Sequence, residues 1–328
     1  MKTRIQKWRS LTQTAFFILF LAAPPLNIFR YDLTQGHFIV LGFNWTLQLD
    51  SLQNDPGSAA LHVLLIGLLP IVTLAVAFIY VAWRWGRLYC GWLCPHYSVI
   101  EIINRLMIRA SGKPSIWEKK KLPEVQLYKP EDQRVQKPDA RYWIPTLIAV
   151  VGFAFLWAVA LLTYLLPPFE IYHNLLHGEL TRNQALFIGV ATLVLSLEFL
   201  VFRHLFCRYG CAVGLFQSLA WMANRRAMVI SFDTDRARAC RDCNNACDNV
   251  CPMRLQPRTI KRKMFTCTEC GECISACIQV QQFRHDTGLL HWVEGEAAAR
   301  ISEPPVSELS ISRQAESAED SKPASKAV

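Results

Sequence analysis

Two redox signatures are missing from the chain. It has no glycine-rich nucleotide-binding loop and no C-x-x-C-H haem-attachment motif, which excludes a self-contained NADH reductase and a c-type cytochrome. Charge is scarce as well: Asp, Glu, Lys and Arg make up 19% of the 328 residues, while 52% are hydrophobic. Soluble domains usually carry about 25% charged residues. The deficit, with long apolar runs, points to a membrane protein with a soluble portion. The net charge of +9 does not indicate nucleic-acid binding, because the basic residues gather beside the apolar runs, as they do on the cytoplasmic side of a bilayer. Nor do the 12 cysteines read as six disulfides. They fall into four close-spaced groups on the side read as reducing, where metal ligation is the better account.

Four stretches are long and apolar enough to span: about Leu11–Phe29, Leu61–Trp83, Trp143–Leu166 and Ala185–Phe202. Each approaches the ~20 residues that cover ~30 Å of hydrocarbon. The first is interrupted by Pro24-Pro25, and its start, "MKTRIQKWRS", resembles the basic region of a signal peptide; no small-residue cleavage site follows, so an uncleaved helix is expected. Four Lys/Arg precede the first span, residues 30–60 carry one basic and three acidic residues, residues 84–142 carry twelve Lys/Arg against six Asp/Glu, and 168–184 hold a single Arg. This alternation predicts a multi-pass protein of the bacterial cytoplasmic membrane with both termini cytoplasmic.

The chain repeats itself. Cys90 and Cys207 are 117 residues apart, as are Cys94 and Cys211. Each C-x3-C pair follows the second span of a hairpin and precedes an amphipathic stretch ending in basic residues, as interfacial helices do. At i, i+4 on a helix the thiols of a pair would point the same way. The helix dipole, Arg87 and Arg208 would favour thiolates. Four such sulfurs brought together would suit Cu(I), zinc or another cluster, whereas scattered they would be ordinary buried small residues.

Eight more cysteines crowd into residues 240–277. Two-cluster ferredoxins use C-x2-C-x2-C-x3-C-P twice, the last cysteine of each run serving the other cluster. Cys267, Cys270, Cys273 and Cys277 fit that spacing, with Ile278 in place of the proline; Cys240, Cys243, Cys247 and Cys251 precede Pro252 but carry one extra residue between the second and third cysteines. Crossed ligation predicts two [4Fe-4S] clusters, one on Cys240, Cys243, Cys247 and Cys277, the other on Cys267, Cys270, Cys273 and Cys251. A pair of four-thiolate zinc sites is the alternative. Among other polar residues, Glu198 lies inside a span and is a candidate proton carrier. His173 and His177 share a helical face in an outer loop, and His96 and His204 flank the thiol pairs as candidate extra ligands.

The string "YCGWLCP", the charged linker, "FCRYGCAVGLFQSLAWMANRRAMVISFDTD" and the two four-cysteine runs, in that order over residues 10–295, resemble the CcoG/FixG-type membrane ferredoxins, accessory proteins of cytochrome c oxidase assembly. The chain also resembles, less closely, the NapH- and NosR-type ferredoxin subunits. Ala212 stands where the second C-x3-C motif of the family has proline. The resemblance implies cluster ligation by the eight later cysteines and a metal or redox role for Cys90, Cys94, Cys207 and Cys211. The expected architecture is a polytopic α-helical membrane protein of about four transmembrane helices in two repeated hairpins, with a small cytoplasmic two-[4Fe-4S] segment. Its parts are 1–112 (first hairpin), 113–142 (linker), 143–232 (second hairpin), 233–299 (ferredoxin-like) and 300–328 (disordered tail). The expected function is electron transfer between the clusters and a membrane-side acceptor or donor. That partner is copper, with Cu(II) reduction linked to oxidase assembly factors, or quinol feeding a partner reductase. The non-redox alternative is a thiol metal carrier or assembly scaffold.

Overall fold

The computed structural model of the protein describes residues 4–46, 56–113, 117, 121–122, 137–240, 243–282 and 287–302. Most of the expected linker and the tail beyond Ser302 lie outside the described residues. Helix α1 (Arg4–Ala22) leads into a meander of β1 (Phe29–Asp32), β2 (His37–Val40) and β3 (Phe43–Trp45), in which Phe29 faces Val40 and Phe38 faces Trp45. Tyr31 of β1 and Leu33 just after it also donate to the carbonyls of Tyr164 and Leu165. A long helix follows, made of α2 (Pro56–His62), a π-helical stretch (Val63–Leu68) and α3 (Leu69–Trp85). Then come α4 (Leu88–Trp92), α5 (Pro95–Ser111), α6 (Trp143–Thr163), α7 (Pro168–His177) and α8 (Arg182–Leu197). Helix α8 starts at a capping box, Thr181 with Gln184, and runs on into a π turn at Glu198–Phe202.

Three helical stretches among the described residues are long and apolar enough to cross a membrane: Ala60–Trp85, Ala140–Thr163 and Arg182–Phe202. Helix α6 is the most enclosed, packed between α5 and α8, while the other two leave Leu69, Leu74, Leu186 and Leu193 facing outward. Apolar surface that wide suits the hydrocarbon of a bilayer. The first expected span is corrected. Its helix runs Arg4–Ala22, stopping before Pro24-Pro25, and Phe29 already belongs to β1. Proline removes the N–H that would continue the ladder and clashes with the preceding turn. The helix instead buries Gln6, Arg9 and Gln13, a polar face with partners inside the protein.

The cysteine-rich segment is bracketed by β4 (Val229–Phe232) and β5 (Leu290–Val293), antiparallel with Val229 opposite Val293 and Phe232 opposite Leu290. Between them lie α10 (Ala246–Asn249) and α11 (Glu272–Gln282); α12 (Glu296–Ser302) closes the described chain, so helix persists past the expected start of the tail at residue 300. The core of this segment, including Ile230, Met253, Met264 and Leu289, is continuous with Tyr97 of α5 and Trp221 of α9 (Ala212–Ala223). No gap separates the ferredoxin-like part from the helical part.

Candidate iron–sulfur cavities and the helix-end thiols

Two cavities open inside the bracketed segment, each lined by four cysteines. One is walled by Cys251, Cys267, Cys270 and Cys273 with Ile230, Met253, Leu255, Met264 and Thr268. The other is walled by Cys240, Cys243, Cys247 and Cys277 with Phe232, Val280, Leu290 and Arg258. The last cysteine of each run is exchanged between the two, the grouping expected from crossed ligation. Cys273 and Cys277 sit one turn apart on α11. The extra residue of the first run is absorbed by Asn245, left-handed at φ 51°; Asn tolerates that conformation better than most residues. In the second run Glu269 (φ 49°) and Gly271 (φ 68°) turn the loop, and a Cβ on Gly271 would stand 2.9 Å from the Trp292 ring.

The donor set fits an iron–sulfur cluster. Leu255 N–H donates to Cys251 Sγ and Leu289 N–H to Cys277 Sγ, both at 3.3 Å, the kind of bond that tunes cluster potential. Four cysteine thiols per cavity are the donor set of a [4Fe-4S] cluster and also of a structural zinc site. Burial pushes the Cys270 thiol up to about 12 and those of Cys267 and Cys273 well above their usual range, so metal loading must release protons. Burial also lifts the Glu269 carboxyl to about 8, opposed by the hydrogen bond from Trp292 Nε1 at 3.0 Å.

The helix-end thiols assemble differently from the expectation of one helix per pair. Cys90 lies on α4, but Cys94 (φ −57°, ψ 117°) is the N-cap of α5, because Pro95 after it disfavours helical backbone. Cys207 lies in a π turn at Phe206–Gly210, and Cys211 (φ −78°, ψ 108°) caps α9 without a following proline. Each of the four thiols lies within electrostatic range of the other three. The expected thiolates are corrected too: burial outweighs dipole and Arg87, pushing Cys90 up to about 12 and raising Cys94 and Cys207. Arg87 does reach the site. It is fully buried, donating through Nε to Ser218 Oγ and through Nη1 to the Cys207 carbonyl. Arg208 instead lies over the Tyr209 ring.

A seam joins these thiols to the cavity of Cys251, Cys267, Cys270 and Cys273. Gly91, next to Cys90, approaches the backbone of Thr268 so closely that a Cβ would lie 2.1 Å from its carbonyl oxygen. Tyr97 Oη meets Thr268 Oγ1 at 3.3 Å, and Trp92 Nε1 donates to the Glu269 carbonyl at 3.0 Å. Helix α1 locks the seam: Arg9 donates to the Gly91 carbonyl at 2.8 Å and pairs with Glu101 (2.6 Å) and Glu272 (3.0 Å), while Gln6 donates to the Cys270 carbonyl at 2.9 Å. The sequence reading missed these residues. Their signal was a polar stripe at helical spacing: Gln6 and Arg9 just before the expected span and Gln13 inside it.

The remaining candidates fall elsewhere. His96 Nε2 and Glu198 Oε1 face each other at 3.3 Å but are misaligned for a hydrogen bond, amid Trp157, Phe199 and Phe206. His204 is buried against Tyr97, and burial lowers it to about 3, keeping it neutral. His173 and His177 stack at 4.1 Å on α7, and no third ligand joins them among the described residues.

A family model described as a 4Fe-4S binding domain matches residues 67–114 and 183–228. The chain is 27% identical over 276 residues to an uncharacterized protein of Methanocaldococcus jannaschii, covering 84% of this chain and 93% of that one. It is 24% identical to the putative electron transport protein YccM of Escherichia coli K12, over 62% of this chain and 52% of that protein. It is 22% identical to the ferredoxin-type protein NapH of Haemophilus influenzae, over 87% of this chain and 90% of that one. No solved structure matches. The chain thus carries a 4Fe-4S binding domain and is similar to proteins named for electron transport and for ferredoxin; the comparisons do not single out the CcoG/FixG type.

Proposed function

We propose that the protein is a membrane-bound iron–sulfur electron-transfer protein. In this reading the two four-cysteine cavities hold [4Fe-4S] clusters, and the four helix-end thiols hold a metal centre at the cytoplasmic edge of the bilayer. The clusters supply one-electron chemistry when bound. The chain's own residues position them: cysteine thiolates hold the iron, the N–H groups of Leu255 and Leu289 stabilise charge on sulfur, and Met253, Met264 and Leu290 exclude water. The observation that carries the reading is the Gly91–Thr268 contact, which leaves no room for a side chain between the thiol site and the cavity that Thr268 lines. A separate, mobile ferredoxin would not need such a seam. The similarity to an electron transport protein and a ferredoxin-type protein supports the same direction.

Two exchange partners remain in competition. Copper suits soft thiols, with Cu(II) reduced to Cu(I) in support of oxidase metal-centre assembly. Quinol is favoured by a specific observation: the half-buried His96–Glu198 pair, 3.3 Å apart beside Trp157, places an imidazole and a carboxyl next to the thiols. The test is anaerobic. Reduced, detergent-solubilised protein is offered Cu(II) with a Cu(I)-specific chelator or, separately, a water-soluble quinone, while visible absorbance follows the clusters. Reoxidation by one of them, slowed at least tenfold in Cys90→Ser/Cys94→Ser, identifies the partner. Clusters that remain reduced with both, or reoxidise equally fast in the variant, would end the proposal.

A further inference from the structure

We propose that Cys90, Cys94, Cys207 and Cys211 together hold a third four-iron cluster, with Arg87 as its fixed counter-charge. The inference rests on the electron-transfer reading and names the cofactor of its thiol site. The two cysteine pairs come from repeats 117 residues apart, yet every pairing among the four sulfurs is electrostatically close. The sulfurs receive hydrogen bonds of the kind seen in the ferredoxin-like cavities: Cys94 from the N–H groups of His96 and Tyr97, Cys90 from Gln217 Nε2 at 3.5 Å.

Arg87 is the independent observation. Its side chain is 0% exposed, and its Nη2 has no hydrogen-bond partner among the described residues. No carboxylate pairs with it among the described residues; Cys90, Cys207, Cys211 and Cys267 lie around it. A buried cation lacking a counter-ion is strongly disfavoured. Four thiolates on a four-iron core of charge 2+ leave a net negative centre, which completes the pair. A third line agrees: the two stretches matching the 4Fe-4S model contain these four cysteines and none of the eight that follow.

Metal analysis of the anaerobically purified full chain tests this. Three four-iron groups give about 12 iron and about 12 acid-labile sulfide per chain. Cys90→Ser/Cys94→Ser and Cys207→Ser/Cys211→Ser should each fall to about 8, because the halves share one cluster. The paramagnetic signal lost in both should keep its intensity in Arg87→Met with a lowered midpoint potential, which Arg87→Lys restores. About 8 iron in the wild type, or one copper or zinc at the thiols, overturns the third cluster but leaves the electron-transfer reading standing. Well below 8 overturns both. An unmoved potential in Arg87→Met overturns the counter-charge. Should the thiol variants fail to fold, the wild-type iron count and the Arg87 pair still decide.

Discussion

Substituting Gly91 by alanine isolates the seam. Gly91 is helical, within α4, so the backbone alone would welcome alanine by roughly 0.5–1 kcal/mol. The added Cβ, however, would stand 2.1 Å from the Thr268 carbonyl oxygen, and relief to the 3.0 Å floor of real contacts needs 3.0 − 2.1 = 0.9 Å of movement. Thr268 is 2% exposed and fixed between Cys267 and Cys270, so it cannot swing aside. Overpacking of this kind costs about 1–3 kcal/mol. Weakening the bonds that the Gly91 carbonyl accepts from Arg9 and Gln13 adds about 1 kcal/mol more. The penalty exceeds the propensity gain, so Gly91→Ala should destabilise by roughly 1–3 kcal/mol. Gly152→Ala and Gly189→Ala are the controls: no atom lies within 4 Å of either new Cβ, and both should be neutral or slightly stabilising. Thermal unfolding in detergent, followed by near-ultraviolet circular dichroism and by cluster absorbance, reads all three. If Gly91→Ala melts with the controls, the seam is not packed as described and the route across it fails.

Other expectations follow from the same geometry. Cys277→Ser should bleach the cluster of the first cysteine run and give the same residual spectrum as Cys240→Ser; a spectrum matching Cys267→Ser would show that ligation is not crossed. Arg9→Met leaves Glu101 buried without its partner and should cost about 3–5 kcal/mol, part of it recovered by adding Glu101→Gln; equal melting of wild type and Arg9→Met would refute the network. His204 titrates at about 3 in the fold against 6.5 in an open chain. The unfolded state therefore takes up the proton first, and the stability owed to neutral His204 is full above 6.5 and drains away as pH falls toward 3. In His204→Phe that acid slope should flatten; parallel melting-versus-pH curves for the two proteins would contradict it.

The cysteine grouping could be read from the chain because sulfur spacing is local information: Cys267-x2-Cys270-x2-Cys273 determines most of its own geometry. The three apolar spans were equally plain, since twenty apolar residues have few other uses. Helix α1 misled because hydropathy averages over faces, and the partners of Arg9 lie at Gly91, Glu101 and Glu272, beyond any local window. The meander β1–β3 escaped notice because strands of three or four residues leave almost no alternation to count. The break at Cys94 was available in Pro95, whereas the matching break at Cys211 precedes an alanine and comes from tertiary packing. The burial that raises the helix-end thiols was not legible, because dipole and Arg87 are visible in sequence and desolvation is not.

The clasp between α1 and the Cys270 loop also sets a timetable for synthesis. Gln6 and Ser275 meet across 269 residues of chain, and Arg9 and Glu272 across 263. At ~5–20 residues per second, the first helix waits roughly 13–55 s for these last partners. Gly91 and Glu101 reach Arg9 and Gln13 much sooner, but through that interval Gln6 Nε2 lacks both of its acceptors, the Cys270 carbonyl and Ser275, and Arg9 lacks Glu272, so α1 is clasped on one side only. Only when the last cysteine loop emerges and takes up its metal does the first helix gain its final contacts. The beginning of the chain therefore reports on whether its end has matured: an apoprotein should show an N-terminus open to protease, and a metal-loaded one an N-terminus that is shut.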